Sequence, residues 1–206
     1  MHRRRPGHRR RLRTRLTLRA ALAGLGLLLA LAAPAAAQAP AAAPGQTVKF
    51  DPKTKVDGKV LQVIFGERAL FRLDDAGQPV LDSGEKGQLA AAHPAGAVPE
   101  TYAAPGPGLI AAALDGSAEK QATVLKVWNR TGHALEYRAI ALVLHGQSLS
   151  PGIAPTCPVP AGGVRTETWP APVVAVGLGG FKPASKEALA RCAAKPAAPA
   201  GAKKGK

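Results

Sequence analysis

The sequence predicts an all-β protein that folds as an antiparallel β-sandwich and ends in a short helix. The first observation is a series of short apolar runs at the roughly 8–12-residue spacing typical of sandwich strands. The second is that Gly, Pro and Asn turn signals lie between these runs. The third is the lack of helical periodicity before the C-terminal region, which argues against alternating strands and helices. Together these patterns favour two packed antiparallel sheets.

The N-terminal 37 residues have the three zones of a cleavable export signal. Residues 1–19 hold nine arginines and no acidic residue, and Ala20–Ala33 is an uninterrupted apolar run that Pro34 ends. Fourteen residues at ~1.5 Å each span about 21 Å, which is short of the ~30 Å hydrocarbon core that a permanent anchor must cross. Small residues then precede Gln38, so we expect cleavage after Ala37 and a periplasmic or secreted mature protein.

Two features of this signal leave the export route open. Arg9–Leu12 partly matches a twin-arginine signal, which would carry the folded protein, but the stretch is so rich in arginine that the ordinary unfolded route fits equally well. An organelle transit peptide would be rich in serine, and this segment has none. No cysteine lies near the cleavage site, so a lipid anchor is not expected.

The charge of the chain argues against nucleic-acid binding once it is divided by segment. The whole chain has a formal charge of +15, but nine of its 28 basic residues lie in the signal. The mature chain therefore carries 19 basic against 13 acidic side chains, and four of those lysines lie in the tail after residue 194. A nucleic-acid domain concentrates basic residues with aromatics between them, and aromatics are only 4% of this chain.

The mature chain has the length of about one domain with two Ala/Pro/Gly-rich ends. Residues 38–46 and 193–206 bury too little apolar surface to offset the entropy of ordering, so they are predicted to be a flexible linker and a disordered tail. Between them we distinguish an N-terminal β-hairpin region, residues 47–100, from a sandwich core, residues 101–192. The Pro- and Gly-rich loop 91–108 marks this internal boundary.

The elements follow in order from the alternation of apolar runs and turn signals. In the first half, a strand at Val60–Phe65 precedes a hairpin of Ala69–Asp74 with Val80–Leu81. Later strands are predicted at Leu109–Leu114, Ala122–Trp128, Leu135–Leu144, Thr156–Val159, Val164–Trp169 and Val173–Leu178, with turns at Asp115–Ser117 and Asn129–Gly132 and a loop at His145–Pro155. Thr156–Val159 is expected to pair with Val164–Trp169. Leu135–Leu144 becomes apolar on both faces from Ala139, which indicates a strand entering a covered position.

The C-terminal helix is predicted over Lys186–Ala193, with Ser185 as its N-cap. Leu189 and Cys192 lie three residues apart on one face, which would turn the cysteine toward the body of the protein. The only other cysteine is Cys157, and an isolated pair in an oxidising compartment favours a disulfide over a metal or redox centre. Closing this loop would stabilise the fold by about 3–4 kcal/mol in the chain-entropy model.

The segment from Leu109 to Phe181 resembles a group of small uncharacterised exported bacterial proteins. The shared residues are Lys126–Gly132, Thr156–Val159 with Gly162–Gly163, Glu167–Pro170 and Leu178–Phe181. The strand–Asn-x-Thr-Gly–strand element is also similar to immunoglobulin-like adhesion and envelope modules, although Trp128 precedes both cysteines and so departs from their usual Cys…Trp…Cys order. The resemblance implies an immunoglobulin-like sandwich in an envelope setting and supplies no activity.

Candidate catalytic and metal-binding residues all have a simpler interpretation. His93, His133 and His145 lack ligand spacing and are expected to be solvated loop residues, since one strand separates His133 from His145 and places them at opposite ends of the sandwich. Ser148 and Ser150 follow His145 without the strained turn of a nucleophile. Two Glu/Arg pairs, Glu136 with Arg138 and Arg165 with Glu167, are expected to form surface ion pairs, and the Asn129–Thr131 sequon is interpreted as a turn.

The sequence therefore predicts a non-enzymatic exported sandwich that serves as a binding or accessory module of the envelope, with no cofactor. Its partner would be an envelope protein or glycan, and Trp169, which ends a strand before Pro170, is the candidate anchor if it is partly exposed. A tryptophan of the core is the alternative interpretation. The alternative function is a periplasmic metal-binding protein that uses the loop histidines His133 and His145.

Overall fold

Residues 50–193 are described by the structure, a computed structural model. They form ten strands, a single 3₁₀ turn at Ala90–Ala92 and one helix, α1 (Lys186–Ala193). The strands are β1 (Lys55–Asp57), β2 (Val60–Ile64), β3 (Glu67–Leu73), β4 (Pro79–Lys86), β5 (Ile110–Ser117), β6 (Ala122–Asn129), β7 (Leu135–His145), β8 (Ser148–Ala154), β9 (Val164–Trp169) and β10 (Val173–Pro183). The predicted signal peptide 1–37, the linker 38–46 and the tail beyond residue 193 lie outside these residues.

The strands form two five-stranded antiparallel sheets that pack together. Sheet I has the order β1-β2-β10-β7-β8, and sheet II has the order β4-β3-β5-β6-β9. The core between them contains large buried side chains from both sheets, among them Leu61, Phe71, Leu125 and Leu178. The rings of Phe71 and Phe181 lie 5.4 Å apart, centroid to centroid, and join the sheets across this core. The predicted all-β sandwich is confirmed.

The C-terminal helix and the disulfide are also confirmed. Ser185 accepts a hydrogen bond on its Oγ from the backbone N–H of Ala188, 3.1 Å away, as an N-cap does. The helix places Cys192 against Cys157, and the two sulfurs are bonded. Within residues 50–193, no helix combines the length and the apolar character needed to cross a membrane.

The proposed boundary near residue 100 does not separate the two sheets. The predicted hairpin is present as β3 and β4, and its turn is closed by Asp74, whose Oδ1 accepts the Gln78 N–H. However, β2 pairs with β10 in sheet I, and β3 pairs with β5 in sheet II. Residues 50–100, the described part of the predicted hairpin region, therefore contribute strands to the same sandwich as residues 101–192.

Three predicted elements were wrong. The predicted loop His145–Pro155 contains β8, because the apolar residues Leu149 and Ile153 pair with β7 in register. Pro151 argues against a central strand, but a proline is tolerated here because β8 is an edge strand. The predicted turn Asp115–Ser117 is the end of β5, and the chain turns at residues 118–121 instead.

The third wrong element is the strand Thr156–Val159. Val159 exchanges backbone hydrogen bonds with Leu135, both 2.8 Å, rather than forming a hairpin with β9. β9 pairs with β6, from Thr123 opposite Trp169 to Trp128 opposite Val164. The turn signal at Pro160–Gly163 predicted a hairpin between the two segments that flank it. β9 instead pairs with β6 over six residue pairs, so that more of its backbone groups are hydrogen-bonded than the four residues of Thr156–Val159 would allow.

Candidate functional site

A cavity of about 580 Å³ opens at the end of the sandwich where β5 turns into β6. We call it the Phe65 pocket, and its lining residues are Phe65, Gly116, Ser117, Ala118, Gln121, Ala122, Thr123, Pro170, Ala171 and Pro172. They come from the β2–β3 junction, the β5–β6 hairpin and the β9–β10 connection. These three connections meet because Ile64 pairs with Ala175, and Thr123 with Trp169, at the same end of the two sheets.

The Phe65 ring forms one wall of the pocket and is 47% exposed, which is unusual for a phenylalanine. Its backbone N–H donates to the carbonyl of Val174, 3.0 Å away, which fixes the residue between the sheets. The ring packs over Gly116, where a Cβ atom would lie 3.2 Å from the ring and 2.7 Å from the carbonyl of Ala122. A glycine is therefore required at this position for the wall to close.

Among the residues that line the pocket, none is titratable. Two of the polar side chains are hydrogen-bonded to the backbone: Ser117 Oγ accepts the Lys120 N–H at 3.1 Å, and Thr123 Oγ1 donates to the Ala171 carbonyl at 2.7 Å while accepting the Val173 N–H. The third polar side chain of the lining is the uncharged amide of Gln121. A nucleophilic hydroxyl is activated by a titratable general base beside it, and no lining residue is titratable. The pocket is suited to hold an uncharged, largely apolar group.

Trp169 does not have the exposure that was predicted for a partner-binding anchor. It is 7% exposed, it belongs to the core between the sheets, and its indole N–H donates to the carbonyl of Pro155, 3.3 Å away. Its side chain shares the inner face of β9 with Arg165 and Glu167, so strand alternation turns it toward sheet I. The alternative interpretation, a core tryptophan, is the one that the structure supports.

The histidines do not converge on one site. His133 precedes β7 and His145 ends it, and twelve residues at ~3.3 Å each place them roughly 35–40 Å apart. Ligands of one metal ion must all lie within ~2–2.5 Å of it, so this pair does not form a shared site. Within residues 50–193, no three residues of the ligating types His, Cys, Asp and Glu come close enough to hold an ion.

His93 differs from the other two and from the prediction. Its side chain is largely buried, and its Nε2 lies 3.1 Å from Oδ2 of Asp115. The same Oδ2 accepts the backbone N–H of Leu89 at 2.7 Å, and Oδ1 accepts the N–H of Gly116 at 2.7 Å. Asp115 is thus a buried acid with three polar partners, a role that sequence reasoning missed because Asp-Gly-Ser is typical of a turn.

Asp115 fixes a segment that covers the outer face of sheet II, which we call the covering loop (residues 87–108). Leu89, Ala92 and Tyr102 of the loop form a second buried cluster with strand residues Ala111, Ala113, Val124 and Trp128. The guanidinium of Arg68 lies 4.9 Å from the centre of the Tyr102 ring and also binds Glu85 and the Ala103 carbonyl. Lys126 pairs with Glu100 of the loop at 3.2 Å. The loop 91–108, which was predicted to mark an internal boundary, is therefore a packed part of the domain.

The remaining candidates have structural partners. Glu136 pairs with Lys182 at 3.6 Å instead of with Arg138, and Glu167 accepts the backbone N–H of Cys157 at 2.7 Å instead of pairing with Arg165. The two surface ion pairs were therefore wrongly assigned. Asn129 is fully buried, and its side chain bonds to Thr131, His133, Val159 and Pro160. Asn129 is thus a structural residue that ends β6, and the chain bends just after it, at residues 131–133.

No family model, curated protein or solved structure matches this chain. The resemblance to small exported bacterial proteins therefore stays a prediction, and the functional argument depends on the geometry of the molecule itself.

Proposed function

We propose that this protein is an exported, non-enzymatic binding or accessory module of the cell envelope and that the Phe65 pocket is its binding site. The observation that carries the proposal is an open apolar cavity with no titratable lining residue. Its volume of about 580 Å³ lies within the ~300–1,000 Å³ typical of ligand sites. The site selects by shape and apolar contact, so its ligand presents an uncharged apolar group.

Export is supported by two independent features of the chain. The N-terminal segment has the arginine-rich, apolar and small-residue zones of a cleavable signal. The Cys157–Cys192 disulfide is compatible with an oxidising compartment, where such bonds persist. N-terminal sequencing of protein isolated from cells should begin at Gln38. A native protein that still began at Met1 and remained in the cytosol would remove the envelope role.

The binding site is tested with N-phenyl-1-naphthylamine, an uncharged apolar fluorophore. Its emission should rise and saturate as the purified mature protein is added. Phe65→Asp should abolish this rise, because it puts a charge against a ligand that has none. The exposure of Phe65 makes the substitution tolerable for the fold, and far-UV circular dichroism of the variant should be unchanged.

The matched control is Val164→Asp, which introduces the same charge at a 46% exposed aliphatic residue outside the pocket lining. Its probe binding should equal that of the wild type. Equal binding by wild type and Phe65→Asp would reject the Phe65 pocket as the site. A broad esterase and glycosidase screen completes the test, since turnover of any substrate would contradict a non-enzymatic role.

A further inference from the structure

Where β7 and β8 are paired, from Ala139 to His145 of β7, their hairpin is apolar on its outer side as well as on the side that faces the core. Ala139, Ala141 and Ala154 point inward and belong to the buried cluster between the sheets. The alternate residues point outward, and their register places Ile140 opposite Ile153, Leu142 opposite Pro151 and Leu144 opposite Leu149. We call these six outward residues the hairpin face. All of them are apolar, although strands with one solvated face normally alternate apolar and polar residues.

The hairpin face is exposed in the part of the chain that the structure describes. Ile153 is 92% exposed and Ile140 is 52% exposed. Of the six large hydrophobic residues that are exposed among residues 50–193, three lie on this face, and Val60 lies on the outer side of β2 in the same sheet. The pattern that predicted a covered strand therefore describes a surface whose residues Ile140 and Ile153 stay exposed among residues 50–193. Phe50, Asp51 and Lys55 lie at its border, where they line a depression together with Ile140, Leu142 and Pro151.

The chemistry of this surface favours a protein contact without charge. No Asp, Glu, Lys or Arg occurs from residue 139 to residue 164, a span that includes the paired part of the hairpin, and the outward charged residues of β7, Glu136 and Arg138, precede it. The cores of subunit interfaces are depleted of charged residues in the same way, and those of homodimers are the most apolar. An anionic lipid surface is instead recognised by clustered Lys and Arg, which this span lacks. An uncharged apolar face is complementary to a second copy of itself.

The area of the contact follows from the hairpin face and the strands beside it. The hairpin face together with the outer sides of β10 and β2 spans four strands at ~4.8 Å and seven residues at ~3.3 Å, a footprint of roughly 440 Å² per copy, or about 900 Å² for a pair. This is at the small end of specific interfaces, so the affinity should be modest. Pro151 lies within the edge strand β8 and has no N–H to donate, which disfavours side-by-side pairing of two β8 strands. The remaining geometry is one in which the hairpin faces of the two copies pack against each other.

We propose that a second copy of this chain covers the hairpin face, so that the mature protein forms a two-fold symmetric dimer through the outer side of sheet I. The dimer buries Ile140 and Ile153 of both copies and leaves the Phe65 pocket out of the contact. It does not depend on what the pocket binds. In such an isologous contact each substitution is present twice, which doubles its effect.

The test is sedimentation equilibrium of the mature protein from about 5 to 500 µM. We expect a monomer–dimer equilibrium with a dissociation constant on the order of 100 µM or tighter. Ile153→Asp should weaken it at least 10-fold, because the dimer would bury two unpaired carboxylates. Val164→Asp is the matched control, since Val164 is 46% exposed on β9 of the other sheet, and its dimerisation should equal that of the wild type.

Each alternative outcome overturns the dimer. A protein that stays monomeric at every concentration contradicts it, as does a dimer that Val164→Asp dissociates and Ile153→Asp does not. A monomer that floats with phosphatidylethanolamine/phosphatidylglycerol vesicles in an Ile153-dependent manner would assign the face to lipid instead. Circular dichroism confirms that the variants are folded, and Ile153→Ser repeats the measurement without adding a charge.

Discussion

The two sheets differ in what lies against the apolar residues of their outer faces. Both carry apolar residues on the side away from the core. On sheet II the chain provides its own cover, because Leu89 and Tyr102 of the covering loop pack on Ala111, Ala113 and Trp128. On sheet I, Ile140 and Ile153 of the hairpin face stay exposed among residues 50–193. An apolar outer face therefore indicates a contact, but it does not say whether the contact lies within the chain.

The side chains at the centre of each face explain the difference. The central outward positions of β5 are Ala111 and Ala113, and their small size leaves room for a segment of the same chain to lie close to the sheet. In the part of β7 that pairs with β8, the outward positions are an isoleucine and two leucines, which project from the sheet. Directional bonds add to this contrast, since Asp115 holds the covering loop through Leu89 and His93.

The largest expected effect separates the covered face from the uncovered one. Leu89→Ala should destabilise the protein by about 3 kcal/mol, because a fully buried leucine loses its contacts and leaves a cavity. Ile153→Ala removes a similar amount of side chain from a 92% exposed site and should cost no more than about 0.5 kcal/mol at concentrations where the protein is monomeric. Urea unfolding measures both. Equal losses would end the comparison of the two faces.

Removing the polar tie of the covering loop should have an intermediate effect. Asp115→Ala leaves the Leu89 N–H and the His93 ring without their acceptor in a buried place, which should cost about 2 kcal/mol. Asp82→Ala is a control, since Asp82 on β4 lies in an exposed ion pair with Arg72 on β3, and its loss should change stability by less than about 0.5 kcal/mol. Amide hydrogen exchange should show faster exchange in residues 87–108 for the first variant alone.

The last effect is absent at neutral pH, because it concerns the titration of the two tyrosines of the chain at alkaline pH. Burial, aided by the negative charge of Asp115, raises the pKa of Tyr102 to about 12, and burial also raises the pKa of Tyr137. The folded-state pKa of Tyr102 lies above the ~10 of an unfolded chain, so its contribution to stability is complete below pH ~10 and is lost as the pH rises through about 12. Phenolate absorbance at 295 nm should therefore appear later than in guanidinium-unfolded protein.

The control for this titration is Tyr102→Phe, which also removes the hydroxyl that donates to the Gly66 carbonyl at 3.3 Å. The variant should lose the part of the alkaline destabilisation that comes from ionisation of Tyr102, while the phenolate absorbance of Tyr137 persists. Phenolate absorbance that rose near pH 10 in the folded wild type would show that Tyr102 is solvated and that the loop does not cover sheet II.

Local patterns in the sequence were sufficient for the fold class and for several particular elements. The strand at Val60, the hairpin around Asp74, the Ser185-capped helix and the Cys157–Cys192 pair all follow from alternation, turn residues, capping chemistry or the presence of only two cysteines. Each of these signals either involves only a few neighbouring residues or, for the two cysteines, allows only one pairing. The apolar pattern on both sides of β7 also predicted the strand correctly, but it did not show what lies against the outer side.

What the sequence did not determine depends on which distant segments meet. The burial of Trp169 follows from the packing of β9 between β6 and sheet I, and the burial of Asp115 follows from the return of residues 87–108 over sheet II. The Phe65 pocket needs three connections that are far apart in the chain to end at one place. Periodicity states which side of a strand is apolar, whereas only tertiary structure decides what lies against that side, because long-range packing overrides local turn and exposure signals.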